Sequence, residues 1–496
     1  MKLLLLTDMP PCRKFTAGLV LDQLCRFMPR GSVACFAVVN PELDGRLSPD
    51  LSWIPIAYTA KRDETAFRVL PGKLSAVSAY CVEAMRRRYV VPRIVCQAVD
   101  FARENEVDAV WAVLEGQTVI QMAVEVADRL GVPLFTQVWD PLSWWLLANR
   151  IDRLNRRAAL ADFDRALRRS KACAVASWAM AEEFKSRYGT FTVPVIASHS
   201  SEIARRPDLS GVCTATEITI GMAGQFYAGT EWLALIRALN MAHWRVSDKS
   251  VHIFVVGPTL PPGDIPPERI DYLGWKAQDE ALRILSDCHI LYCPYPSDAA
   301  LAETARLSFP SKLTLYLAAG RPVLFHGPSF SSPARYLTEH GAGLCIDSKL
   351  PSAIYNGLVR LVEDTALYRR IALTGQAAFQ RDFTLEAMRD RFFEFLGISN
   401  DVVTEGEEMH RVCAAIYLSD VRALMPQRAR RAVRSARSAL KNMVRRLPYV
   451  RRLSRYIAEL EAHQRRLTEE LESLRAIRSQ TAANSKLVSS TLDDGD

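Results

Sequence analysis

No apolar run in this 496-residue chain approaches the roughly 20 residues that a membrane-spanning helix needs. The apolar start Met-Lys-Leu-Leu-Leu-Leu-Thr-Asp closes at Asp8 after four leucines, too short for a secretory core, and reads as a first β-strand. The eleven cysteines are an odd number and contain no Cys-x-x-Cys pair, which argues against a disulfide framework or a zinc site and for reduced thiols in a cytosolic protein. No cluster of metal-ligand type occurs, and no full Gly-x-Gly-x-x-Gly follows a strand. Acidic residues are absent between Val421 and Arg455, where twelve Lys or Arg stand. The formal net charge of +8 therefore belongs to that segment, and the rest of the chain carries about −4.

What is present is a soluble globular composition, 49% apolar and 24% charged, in a chain too long for one core. Apolar strand-length runs alternate with helical periodicity, the pattern of parallel α/β sheets. Leu3 to Thr7, Val33 to Val39, Asp108 to Leu114, Pro133 to Val138 and Ala172 to Trp178 read as strands or strand ends. Leu19 to Met28, Pro92 to Asn105, Thr118 to Leu130, Leu154 to Arg168 and Met180 to Tyr188 read as helices, and about 63–90 reads as less regular. A polar stretch from Ile203 to Thr216 marks a linker. A second alternation begins with Ile218 to Met222, continues through Val251 to Val256 and His289 to Tyr295, and ends in helices over Ile354 to Asp382 and Met388 to Phe395. The expected domains are 1–202, 217–385 and a helix at 386–400 that crosses back onto the first. A basic helix and short coiled coil follow at 421–478, then a disordered end at 479–496.

Ligands of such sheets bind beyond the carboxyl ends of the strands, where helix N-termini present unpaired N–H groups. Three stretches fall there. Asp8 to Gly18 follows the first strand, with Gly18 either at a ligand or merely allowing close helix packing. Trp139-Asp-Pro-Leu-Ser-Trp-Trp145 follows the strand ending at Val138; Asp140 is a candidate general base or hydrogen-bond acceptor with the tryptophans as a stacking platform, or else a capping residue before Pro141. Ser308-Phe-Pro-Ser-Lys312 opens a helix that Pro310 fits at its first turn and Gly320 ends, before the strand Val323-Leu-Phe325. His199 reads as a satisfied histidine or one that reaches the cleft.

The pattern Phe309-Pro-Ser-Lys-Leu-x-x-Tyr-x-Ala-Ala-Gly-Arg-Pro-Val323 resembles the donor-site helix of GT-B glycosyltransferases, in particular the large retaining family that uses nucleotide sugars (glycosyltransferase family 4-like). The resemblance spans roughly 1–397. It implies two Rossmann-like domains facing a cleft, with a UDP- or GDP-sugar as substrate and neither metal nor cofactor. Donor-binding residues would be Gly18, Gly224, Gln225, Gly257, Glu303, Ser311, Lys312 and Tyr316. Acceptor-binding residues would be Trp139, Trp144 and Trp145, and the catalytic residue Asp140. Three positions depart from the family: Leu315 stands where a glutamate receives the ribose hydroxyls, Gln225 where an arginine meets the diphosphate, and the loop after Val138 has no histidine. Glu303 is the nearest substitute for the missing ribose acceptor.

The implied function is sugar transfer to a glycan or lipid-linked acceptor in cell-surface polysaccharide biosynthesis; a catalytically silent GT-B scaffold is the alternative, and a sugar-nucleotide epimerase a third reading without a supporting acidic pair. Within 421–455 a modest apolar stripe of Val433, Leu440, Val444 and Leu447 suits an anionic membrane surface, which gives a cytoplasmic, peripherally membrane-associated protein. Leu453, Ile457, Leu460, Gln464, Leu467, Leu471 and Leu474 repeat by fours and threes, so 453–478 is expected to oligomerise. Aromatic interleaving is absent from the basic run, which argues against nucleic acid.

Overall fold

The four leucines after Lys2 form β1 (Leu3–Thr7), buried at every residue, and a strand apolar on both faces belongs inside a parallel sheet covered by helices. The sheet continues with β2 (Val33–Val39), β3 (Ile56–Ala60), β4 (Ala109–Val113), β5 (Leu134–Val138), β6 (Ala172–Val175) and β7 (Phe191–Pro194). The order is β3-β2-β1-β4-β5-β6-β7, all parallel, with a short strand Ile416–Leu418 beside β3 at the edge. Sequence order therefore reverses between β1 and β4, and a crevice opens beyond their carboxyl ends. The structure is a computed structural model that describes residues 1–40, 43, 45–61, 64, 74–207, 209, 212, 215–398 and 416–418. The basic and coiled-coil segment expected at 421–478 and the end at 479–496 lie outside the described residues.

The second sheet is built the same way from β8 (Glu217–Ala223), β9 (Arg245–Val246), β10 (Lys249–Val256), β11 (Ile270–Tyr272), β12 (Ile290–Pro294), β13 (Val323–His326) and β14 (Leu344–Ile346). The order is β11-β10-β8-β12-β13-β14, parallel throughout, with β9 antiparallel on β10. Here the reversal falls between β8 and β12.

After a long helix Thr365–Asp382, the chain returns to the first domain. Thr384 caps the helix Leu385–Leu396, accepting from the Ala387 N–H at 3.3 Å. Met388, Phe392, Phe393, Phe395 and Leu396 then join the first domain's core. Phe392 meets Trp111 at 5.0 Å between ring centroids, and Phe395 meets Phe135 edge-on at 5.6 Å. The link Val195–Ser200 runs alongside: the His199 N–H donates to the Phe383 carbonyl at 3.0 Å and its carbonyl accepts from Leu385 at 2.9 Å. Phe309 closes the junction, stacked on Phe383 at 5.4 Å and edge-on to Trp178 of the first domain.

Two local expectations are corrected. The stretch expected to be irregular before Val90 contains a helix, Leu74–Met85, that runs through a π-helical turn at Arg86–Val90 into Val91–Glu104. Its Ser-Ala-Val-Ser-Ala run gives little contrast between faces; tertiary bonds hold it, with Arg86 donating to Glu83, Thr118 and Gln121 at 2.6–2.7 Å. The stretch after Val138, expected as a loop, becomes helical at Leu142–Ala148.

Tyr316 is wholly buried, and its hydroxyl accepts from the Ala223 N–H at 2.6 Å and donates to the Ala223 carbonyl at 3.2 Å, pinning the end of β8. Tyr316→Phe leaves that N–H unpaired and is expected to cost about 1–3 kcal/mol. Urea unfolding measures it, and an unchanged midpoint would contradict the bracing.

Candidate functional site

Three adjacent strands of the first sheet each end in an acid at the crevice: Asp8 after β1, Glu115 after β4 and Asp140 after β5. Glu115 and Asp140 keep solvent-exposed surface, as residues lining an open cleft do. Protein walls nonetheless surround them. Burial, then the charges of Asp8 and Asp140, push the Glu115 carboxyl up to about 8 against the pull of Lys61. Burial also raises Asp140, opposed by the hydroxyl of Ser308, which donates to its Oδ1 at 2.6 Å. Ser308 belongs to the second domain and is itself buried. Asp140 does not cap the helix that follows, whose N-cap is Pro141 without a side-chain bond.

Beneath these acids lies a charged girder. Lys61 Nζ is 3.0 Å from Asp8 and 3.2 Å from Glu64. Glu64 accepts the N–H groups of Gln117 and Thr118 at 2.7 and 2.9 Å, so its carboxylate occupies the N-terminus of the helix Gln117–Leu130. Gly116 fits over this network because it lacks a side chain: a Cβ there would come within 2.7 Å of Asp8 and 2.8 Å of Lys61 Nζ.

The opposite wall comes from the ends of β8 and β12. Gly224, at φ +93°, turns the chain where the Lys312 stem packs, and Gly257 must be glycine because a Cβ would lie 2.6 Å from the Gly224 carbonyl. Ser311 opens the helix Ser311–Ala318, exposed, with Lys312 next to it. Lys312 Nζ stands 5.1 Å above the Tyr227 ring, and among the described residues it makes no ion pair. Burial lowers its pKa. A cation in that position gains from an incoming anion. Gln225 is exposed beside it.

Other sequence candidates have different duties. Gly18 is buried against the loop before it, where a Cβ would overlap Cys12 Sγ, so close packing explains it. Glu303 accepts from Ser143 across the cleft. Trp139 packs on the first core with its buried Nε1 unpartnered, and Trp144 and Trp145 remain partly exposed along Leu142–Ala148. Leu315 offers no acceptor. His199 bonds Thr314 at 3.0 Å, and burial brings it down to about 4, as a satisfied neutral histidine. Among the described residues, no three His, Cys, Asp or Glu side chains converge as metal ligands. Asp8, Lys61, Glu64, Glu115, Gly116, Tyr227 and Ser308 were not singled out from sequence. For Asp8 and Glu115 the signal was present, an acid just past a fully apolar strand run.

No family model and no curated protein matches this chain. Solved structures do. Anabaena HepE in complex with UDP is 18% identical with a TM-score of 0.54, covering 80% of this chain and 100% of that one. The chain has the GT-B fold. Sucrose-phosphate synthase from Thermosynechococcus elongatus is 11% identical with a TM-score of 0.53 over 80% of this chain and 98% of that one. The lipopolysaccharide outer core galactosyltransferase WaaB, in its apo form, is 12% identical at 0.53 over 80% and 99%. In GT-B terms, the Asp8–Glu115–Asp140 wall belongs to the first domain and the Gly224–Lys312 wall to the second.

Glu64 offers a pH test of the girder. Burial disfavours its charge, but Lys61, Arg86 and Thr118 outweigh that and bring it down to about 2. A depressed carboxyl contributes stability above its unfolded value near 4.5 and loses it as the pH falls toward 2. Glu64→Gln is expected to be less stable at pH 7 by about 1–3 kcal/mol. The gap in urea midpoints should narrow below about pH 4.5. A constant gap at all pH values would contradict the ionised clamp.

Proposed function

We propose that this chain is a metal-independent glycosyltransferase that moves a sugar from a nucleotide sugar to a glycan or lipid-linked acceptor in cell-surface polysaccharide biosynthesis. The observation that carries the reading is Lys312, a cation without an ion-pair partner among the described residues, held at the second domain's switch point beside Gly224. HepE, solved with UDP and with UDP-glucose, supports a uridine nucleotide over a guanosine one.

In this reading Lys312, with the N–H groups of Ser311 and Gln225, binds the diphosphate and stabilises it as it departs. Asp140 receives the acceptor hydroxyl and takes its proton. Ser308 holds the Asp140 carboxylate and ties it to the donor-side helix. Glu115, whose pKa is pushed up to about 8, keeps its proton at neutral pH and donates to a sugar or acceptor hydroxyl. Trp144 and Trp145 supply apolar faces for the acceptor. Ribose hydroxyls find no partner at Leu315, and Glu303 is the acid nearest that role. The membrane and oligomer roles of 421–455 and 453–478, and a cytoplasmic, peripherally attached location, belong to the same proposal; among the described residues, no helix is long and apolar enough to cross a membrane.

A catalytically silent scaffold is the second reading, favoured by three departures from the family: Leu315 in place of the ribose glutamate, Gln225 in place of the diphosphate arginine, and no histidine in the stretch after Val138.

Calorimetric titration with UDP, GDP and their sugars, followed by product analysis, separates the two. UDP binding with sugar turnover is expected; tight binding without turnover on any acceptor supports the scaffold. Lys312→Ala should weaken nucleotide binding by about 1.5–3 kcal/mol. Asp140→Asn should keep that affinity and slow transfer by at least about 100-fold. Unchanged affinity in the first variant or normal turnover in the second would remove the assigned role.

A further inference from the structure

The helix Arg153–Arg169 shows two faces. Asn155, Ala159, Phe163, Ala166 and Leu167 point into the first domain, whereas Leu154, Arg157, Ala161, Arg165 and Arg168 form an exposed stripe at helical spacing. No acid stands on that stripe. The three acids of the segment are engaged: Asp152 caps the helix through the Leu154 and Asn155 N–H groups, Asp162 accepts from Arg87 and Arg165, and Asp164 accepts from Tyr188. Arg150, Arg153 and Arg157 are exposed, and among the described residues none makes an ion pair.

Two large apolar side chains lie at the stripe's start. Leu147 is 54% exposed and Leu154 59% exposed. They bracket a tight turn in which the Arg150 N–H donates to the Leu147 carbonyl at 2.9 Å and that of Ile151 to Leu146 at 2.9 Å. The turn directly follows the Leu142–Ala148 helix, which carries Trp144 and Trp145 and begins two residues after Asp140.

We propose that the 147–154 turn and the outer stripe of Arg153–Arg169 form a docking surface for an anionic lipid bilayer. Unpaired arginines meet the headgroup phosphates, and Leu147 and Leu154 enter the boundary with the acyl chains. Charge complementarity selects an anionic partner, and the exposed leucines select a lipid surface over nucleic acid, since the stripe offers no aromatic face on which a base would stack. The surface is made of residues other than 421–455, and it does not depend on the sugar-transfer reading.

The test uses the full chain and reads the turn itself. Amide hydrogen exchange is followed in peptides covering 147–157, with vesicles of phosphatidylcholine alone and of phosphatidylcholine mixed with phosphatidylglycerol. Slower exchange with the anionic vesicles only, weakened by added salt, is expected. The variant Arg153→Glu/Arg157→Glu, and separately Leu154→Ser, should lose that protection while keeping the parent's thermal midpoint. Anionic vesicles that leave 147–157 unchanged would overturn the proposal, whether or not the protein floats with them. Protection that survives the charge reversal, or equal protection by a single-stranded oligonucleotide, would overturn it as well.

Discussion

The return of the chain to its first domain is the constraint on which the rest of the molecule depends. Phe392, Phe393 and Phe395 are buried among Trp111, Phe135 and the inner residues of β1 and β2. Each aromatic ring removes a large apolar area from water, so the helix that carries them cannot leave without exposing the first core. Asp382, just before that helix, accepts from Tyr336, Arg381 and Arg391, and Phe309 packs between Phe383 and Trp178. Ser308 and Glu303 of the second domain are thereby held against Asp140 and Ser143 of the first, and the helix Ser311–Ala318 begins at the residue after Phe309-Pro310.

That arrangement gives the cleft its chemistry. One wall gathers carboxylates from adjacent strand ends, and the other offers the Lys312 ammonium. Burial raises both Glu115 and Asp140; the charges of Asp8 and Asp140 add to the rise at Glu115, while at Asp140 a hydroxyl that reaches across from the second domain opposes it. The Ser308 contact therefore ties the proposed base to the second domain.

Sequence patterning made the fold legible to an unusual depth for such a dissimilar chain. Strands such as Leu3–Thr7 and Ala109–Val113 are short, wholly apolar and bounded by polar residues, and helices such as Gln117–Leu130 carry a clear apolar face. The helix at Leu74–Met85 was missed because small residues gave its faces little contrast. The site was less legible. Lys312 and Asp140 could be singled out from motif and strand position, whereas contacts between distant parts of the chain could not: Ser308, which bonds Asp140, is 168 residues from it, and Glu64 of the supporting network reaches Gln117 over 53 residues. Tyr316 looked like a ligand contact because it lies in the motif, yet its hydroxyl is committed to Ala223, and pairings of this kind leave no periodic signature.

In the proposed function the Gly224–Lys312 wall receives a nucleoside diphosphate. A crystal structure of the protein soaked with UDP tests it most directly. Diphosphate density is expected within hydrogen-bond distance of Lys312 Nζ and the N–H groups at the start of Ser311–Ala318, with the ammonium drawn off the Tyr227 ring. Ordered UDP bound elsewhere, with Lys312 still over Tyr227, would contradict it.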